Sequence, residues 1–453
     1  MRIIVAGAGA GKTTSMAEEV LNRYKEVVDG KIIYVITYTN AARNHIRNKI
    51  IEQHGSMPKR IKVETSHVFL LQEIIFPFYH LLYGQQYSTV SVVNLPSNYG
   101  FKAKVLKELK EENIVHVQEV TKIAKHVIKG KSNDKKLIKE KRKKILYIIK
   151  SYLDSIFIDE AQDIDDSLAG IIEAFYDNAI NLYLVGDPKQ DLRGRNELRN
   201  LIEKYPQYVQ YKVENHRCPM LHVQFSNKFV LEQEKQEYQT AEVGSLSYLF
   251  EQDINISNFF RDEPFDYVYI YQKNERFVTN PNDLGFAKDS LKHELKTVVK
   301  KSKVKREHVD QVVFILQKGI QKNVRKQGNW EVINGLGKAL SLKLTKEDKA
   351  RMYAVLELCK ESNKVEGVIV NSIDKVKGLE GDRCLFIVTT EISDYIFQNK
   401  NEQNKMLNYL YVALTRAKKE LIILITTEVE KKHGREWINA KFKELLQVHV
   451  ETI

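Results

Sequence analysis

The stretch Ala6-Gly7-Ala8-Gly9-Ala10-Gly11-Lys12-Thr13, followed by Thr14, lies between a short apolar run, Arg2 to Val5, and a segment, Thr13 to Val28, whose Met16, Val20, Tyr24 and Val27 recur at helical spacing. A buried strand, a glycine-rich turn and a Lys-Thr pair opening a helix make a phosphate cradle. Small residues let backbone N–H groups converge on phosphate oxygens, and the helix N-terminus favours their charge. The spacing assigns Ala6 through Thr14 to nucleotide binding, with Lys12 reaching the β- and γ-phosphates and Thr13 as a ligand to Mg²⁺. Where the usual pattern begins with glycine, this chain has Ala6.

A nucleotide hydrolase also needs carboxylates on a neighbouring strand. Ser155 to Ile158 reads as that strand and runs into Asp159-Glu160-Ala161-Gln162-Asp163. Asp159 at the strand end is suited to holding the metal through water, and Glu160 to orienting or deprotonating the attacking water. An acidic helix N-cap is the competing reading of that pair. A third strand, Asn181 to Val185, leads into Gly186-Asp187-Pro188-Lys189-Gln190, where Gln190 is placed to sense the γ-phosphate.

Outward from these motifs, the chain of 453 residues is long enough for two to four domains. With 43% hydrophobic and 29% charged residues and eight prolines, the composition excludes disordered and fibrous classes. Cys218, Cys359 and Cys384 are too few and too scattered for a disulfide framework or an iron–sulfur cluster, so a reducing, cytoplasmic setting is expected. The longest uncharged stretch, Ile74 to Phe101, is interrupted by polar and turn residues, and no membrane span is expected. The net charge of +12 is uneven: Lys129 to Lys150 carries a local +8, and Lys296 to Arg306 has six bases and no acid. Such runs suit a polyanion, although a solvated helix face produces the same pattern. Joined to a nucleotide site, they point to nucleic acid.

The motifs together resemble those of superfamily 1 helicases of the UvrD/Rep type. Ala6–Thr13, Asp159–Asp163 and Gly186–Gln190 stand where that family has motifs I, II and III. Thr37-Tyr38-Thr39-Asn40-Ala41-Ala42, Thr65-Ser66-His67-Val68-Phe69, Glu214-Asn215-His216-Arg217, Ser372 to Glu380, and Tyr411-Val412-Ala413-Leu414-Thr415-Arg416-Ala417 supply five more matches in family order. The resemblance implies an α/β fold with two RecA-like P-loop domains built on parallel sheets, each carrying a small helical insertion. The expected segments are 1–69, 151–206 for the first motor domain, 207–280 and 366–453 for the second, with insertions at 70–150 and 281–365. It implies ATP, or another purine triphosphate, with Mg²⁺ as cofactors. Lys12, Thr13, Asp159, Glu160 and Gln190 would serve from the first domain, and Arg217 and Arg416 would act from the second as arginine fingers on the γ-phosphate. His216 stands at the adenine-stacking position, with Gly378 and Glu380 near the ribose. Tyr38, Thr39, Asn40, Thr65 and His67 match positions that track a single DNA strand. Tyr38 reads either as a base-stacking platform or as a half-buried aromatic at a strand end.

The departures carry information. His216 replaces the family's tyrosine, and the upstream glutamine element that reads adenine does not precede Ala6, which leaves base preference open. After Gln190 the chain reads Asp191-Leu192-Arg193-Gly194-Arg195, without the family's base-stacking aromatics, and Asp374 stands where a histidine is common. A closer resemblance, carried by Gln72 to Phe78 and by Asn215-His216-Arg217-Cys218, is to the UvrD-like helicase subunit of Gabija anti-phage systems. It implies a nuclease subunit as partner in a hetero-oligomer. Two functions are therefore expected in competition: a DNA-dependent NTPase translocating 3′ to 5′ on single strands or at DNA ends, and a DNA-sensing regulatory subunit that controls a nuclease without processive unwinding.

Overall fold

The apolar run before the phosphate loop is a strand, Arg2–Ala6, buried from Ile3 onward. A computed structural model of the chain describes residues 1–96, 98–279, 282–323, 327–361 and 368–446. It places this strand fifth in a six-stranded sheet. The order is Ile61–Thr65, Ile32–Thr37, Leu153–Ile158, Asn181–Gly186, Arg2–Ala6 and Val209–Lys212. Every pairing is parallel, with Ile3 opposite Leu184 on one side and Val209 on the other. Parallel strands are covered on both faces, which is why these read as continuous Val/Ile runs rather than alternating ones. One face packs on Met16, Val20, Ile46 and Ile50, from helices Lys12–Glu26 and Asn40–His54. The other packs on the segment from Phe69 to Leu82 and on helices Val120–Ile128, Lys136–Tyr152 and Asp166–Asp177. The first helix stops at Glu26, two residues before the expected end, because Val27 turns extended.

A second parallel sheet runs Ser245–Phe250, Ala417–Ile425, Gly381–Val388, Tyr267–Ile270, with Leu249, Leu424, Ile387 and Ile270 in one row across it. Both sheets belong to one compact unit, Met1–Tyr271 with Val376–Ile453. The fold is thus α/β with two RecA-like parallel sheets, as the motifs led us to expect.

The second unit is Gln272–Lys375. Its helices Asn282–Lys300, Val309–Asn323, Asn329–Ala339 and Lys346–Glu361 close on Leu291, Leu295, Val313, Ile333 and Leu356. Within it the strands Phe277–Thr279 and Val368–Ser372 pair in parallel. Parts of the expected segments 281–365 and 366–453, namely 281, 324–326, 362–367 and 447–453, lie outside the described residues. No helix among the described residues is long and apolar enough to cross a membrane.

In a parallel sheet all strands end on the same edge. The turns after Ala6, Thr37, Thr65, Ile158 and Gly186 therefore share one rim, which is where ligands of open α/β sheets gather.

Candidate nucleotide site and nucleic-acid face

Gly9 and Gly11 hold φ of +72° and +67°, the left-handed region that favours glycine, so the turn can curl its N–H groups inward before the helix begins at Lys12. Lys12 Nζ donates to the carbonyls of Ala6 at 3.2 Å and Gly7 at 3.1 Å, which keeps the ammonium over its own loop. Thr13 is half-buried and Thr14 exposed, both in the first turn of that helix.

One strand, Asn181–Gly186, separates the phosphate-loop strand from the strand Leu153–Ile158 that leads into Asp159. Two inter-strand spacings amount to ~10 Å, room for a phosphate and a hydrated ion between loop and carboxylate. Asp159 is 4% exposed, and its Oδ1 has no hydrogen-bond partner among the described residues. Burial, with the Glu160 charge beside it, pushes its pKa up to about 7, while Lys12 pulls the other way. A buried carboxylate oxygen without a donor, within electrostatic reach of Lys12 and on the rim of a phosphate cradle, fits a hard cation shared with nucleotide phosphates. Glu160 follows with φ +52°, an uncommon conformation for a side chain of this size, and its carboxylate accepts from Gln162 Nε2.

Gln162 does more than the sequence suggested. Its Oε1 accepts from the Asp187 N–H at 3.0 Å, tying the end of one catalytic strand to the start of the next loop. A Cβ on Gly186 would lie 2.8 Å from that same oxygen, so only glycine allows the approach. Asp187 is fully buried. Burial works to raise its pKa, but Lys189 and Lys12 and the hydrogen bonds from Lys189 and Gln190 outweigh it and hold the carboxyl below the usual range. Gln190 Nε2 donates to Asp187 Oδ2 at 3.1 Å, so Gln190 is held by this buried charge pair.

The chain that follows the edge strand Val209–Lys212, and loops of the second sheet, meet the same rim. The His216 N–H donates to the Gly9 carbonyl at 3.0 Å, and a Cβ on Gly9 would lie 2.5 Å from Asn215 Oδ1 and 2.6 Å from Arg217 Cβ. His216 itself is exposed. Arg217 Nε pairs with Glu380 Oε2 at 2.5 Å, joining the expected finger to the expected ribose contact, and Gly378 nearby in sequence holds φ +81°. Arg416 is 1% exposed. Its guanidinium rests on the carbonyls of Val412, Leu379 and Val376 at 2.8, 3.0 and 3.4 Å and on Thr415 Oγ1 at 2.9 Å. Burial, then the Arg217 charge, lower its pKa. Lys377 pairs with Asp163 at 2.8 Å, a further link between the two sheets' loops.

The five residues matched to the DNA track sit on the turns after Thr37 and at Thr65. Tyr38 is half-buried against the core, and its hydroxyl is enclosed without a hydrogen-bond partner among the described residues. Thr39 Oγ1 caps the helix Asn40–His54 by accepting the Ala42 N–H at 3.1 Å, while Asn40 and His67 are exposed and Thr65 half-buried. The basic run from Lys129 is not uniform: Arg142 is buried, paired to Asp134, and bonded to the Val127 carbonyl at 3.0 Å.

Fold and site together resemble a nucleotide-binding P-loop domain of helicase type, and the likeness read from the motifs is met by the proteins this chain is similar to. Residues 1–194 match the family model of the AAA domain. The chain is similar to Gabija protein GajB of Bacillus cereus (strain VD045), 25% identical over 98% of this chain and 96% of that one. Among solved structures, the complex of Arterivirus nonstructural protein 10 (helicase) with DNA aligns at 13% identity and a TM-score of 0.38. That alignment covers 93% of this chain, which spans 59% of the viral one.

Proposed function

We propose that the protein is a DNA-stimulated NTPase of the UvrD type that takes ATP or another purine triphosphate with Mg²⁺. In this reading it acts in cytoplasmic anti-phage defence beside a nuclease subunit, as its similarity to a Gabija protein supports. The observation that carries the hydrolase reading is the buried, unpartnered oxygen of Asp159, on a strand one removed from the phosphate-loop strand and within electrostatic reach of Lys12. The loop N–H groups from Gly9 to Thr13 would bind the β-phosphate, and Lys12 would exchange its loop carbonyls for β- and γ-oxygens. Thr13 and Asp159 would hold the ion, which when bound neutralises charge on the phosphates. Glu160 would take the proton of the attacking water, and Gln190, oriented by Asp187, would stand by the γ-phosphate. Arg217, released from Glu380, would meet charge developing in the transition state, a contribution of ~10³ or more.

A second reading, a DNA sensor that controls its partner without unwinding, is favoured by the loop after Gln190. There Leu192 is buried, and Asp191 spends its carboxylate on the N–H groups of Arg193 and Asn196 at 3.1 and 2.7 Å. NTP hydrolysis measured with no DNA, single-stranded, blunt and nicked DNA tests the proposal. Turnover that rises with DNA and vanishes in Lys12→Ala supports it; turnover indifferent to Lys12 would remove the site assignment.

A further inference from the structure

Ala8, Tyr411 and Gln236 close a ring of buried hydrogen bonds against the phosphate loop. The Tyr411 hydroxyl accepts from the Ala8 N–H at 3.0 Å and donates to Gln236 Oε1 at 2.9 Å. Gln236 Nε2 returns to the Ala8 carbonyl at 3.0 Å. A branch leads outward: Asn215 Nδ2 donates to Gln236 Oε1 at 3.2 Å, and Asn215 Oδ1 accepts the N–H groups of Arg217 and Cys218 at 3.0 and 2.8 Å. Gln236, Tyr411 and Asn215 are 6%, 2% and 0% exposed. The backbone of Gln236 is pinned as well, by both polar atoms of the Asn227 amide, at 2.9 and 2.8 Å. A Cβ on Gly7 would lie 2.3 Å from Gln236 Cδ, so loop and amide are in direct contact.

A buried amide is costly unless each polar group is met, and a fully met network specifies one geometry where an apolar side chain of equal size would merely fill space. The ring grips Ala8 by both its N–H and its carbonyl, and through Asn215 it grips the turn that presents Arg217.

We propose that Gln236 is a positioning residue for hydrolysis, fixing the register of the phosphate loop against the Arg217 turn, with Tyr411 as its second arm. The proposal rests on the nucleotide reading of the loop above. Neither side chain is assigned to phosphate or metal, so their loss is expected to spare binding and cost turnover.

The test uses the full chain as wild type, Gln236→Leu, Tyr411→Phe and the double variant, with Lys12→Ala as the control for the site. Hydrogen exchange of the peptide spanning residues 6–13 is measured without nucleotide, then fluorescent-ADP affinity, then kcat and KM for ATP. Each single variant should speed exchange in that peptide and lower kcat ~10-fold or more, with ADP affinity and KM within ~3-fold. The double variant should be no worse than the more severe single, since both act through Ala8. Unchanged exchange in Tyr411→Phe, wild-type kcat in Gln236→Leu, losses that multiply in the double, or ADP affinity falling in step with kcat would each overturn the proposal. A wild-type chain that neither hydrolyses ATP nor loses ADP binding in Lys12→Ala would instead defeat the nucleotide reading, and the exchange data would still decide whether the ring orders the loop.

Discussion

Arg217 and Arg416 carried the same expectation from their motifs, yet their surroundings separate them. Arg217 makes one partly exposed ion pair, with Glu380, of a kind worth ~0–1 kcal/mol, so Arg217→Ala should leave the melting temperature nearly unchanged while kcat falls ~10³-fold. Arg416 is enclosed on three carbonyls and Thr415. Arg416→Ala empties a buried site and takes the donor from the Leu379 carbonyl and Thr415 Oγ1, at ~1–3 kcal/mol each, while the Val376 and Val412 carbonyls keep N–H donors from Leu379 and Thr415, so it should lower the melting temperature as well as turnover. Thermal melts of both variants, read beside their kinetics, check the contrast; equal melts would count against the burial argument. In the proposed mechanism Lys12 and Glu160 act on phosphate and water rather than on packing, and neither side chain is in the core. Lys12→Ala and Glu160→Gln should both abolish hydrolysis with stability within ~0.5 kcal/mol of wild type, as denaturant unfolding would show.

Helix Lys136–Tyr152 shows why counting charge differs from placing it. Ile138, Arg142, Ile145 and Ile149 follow a four-three-four spacing along the inward stripe, so Arg142 points into the core and meets Asp134, while Lys143 and Lys144 face solvent. Arg142→Ala strands a buried carboxylate and should cost ~3–5 kcal/mol in denaturant unfolding. Lys143→Ala with Lys144→Ala should leave stability alone, weaken binding to every single-stranded sequence, and flatten the salt slope by ~0.7 per lost phosphate contact. An unchanged slope would make this face a solvated surface or a protein-docking one. The same distinction governs what was legible in the sequence. The phosphate loop and the Asp159-Glu160 pair could be read because their chemistry demands fixed residue types at local spacing, right after an apolar strand. The second parallel sheet was legible only through resemblance. Gln236 gave no signal at all, since its partners Ala8 and Tyr411 lie 228 and 175 residues away and a lone glutamine has no pattern. Gln162 was quoted within its motif, but its bridge to Asp187 depends on two strands being neighbours, which spacing along the chain does not reveal.

Hydrolysis and strand separation make different demands on the whole molecule. The proposed phosphate chemistry would use the rim that Lys12, Asp159, Asp187 and the Arg217 turn share. Unwinding further requires that bases be gripped while the nucleotide cleft cycles, and base–aromatic stacking supplies ~1–3 kcal/mol per base. Between Gln190 and Gly194 the chain offers Asp191, Leu192 and Arg193, of which Leu192 is buried and Asp191 is occupied with backbone N–H groups. Tyr38 packs partly into the core with its hydroxyl enclosed, and Thr39 is committed to capping a helix. Losing one or two stacking contacts weakens the hold on a strand by roughly ten- to thousand-fold or more, whereas the ATP chemistry needs none of them. The isolated chain should therefore show DNA-stimulated hydrolysis with poor, short-range unwinding, improved only by a partner or by assembly. Single-turnover unwinding of a long tailed duplex, run beside hydrolysis on the same DNA, reads both quantities at once. Strong stimulation with little strand separation is the expected result, and processive separation by the purified chain alone would show that grip comes from residues other than the family's aromatics.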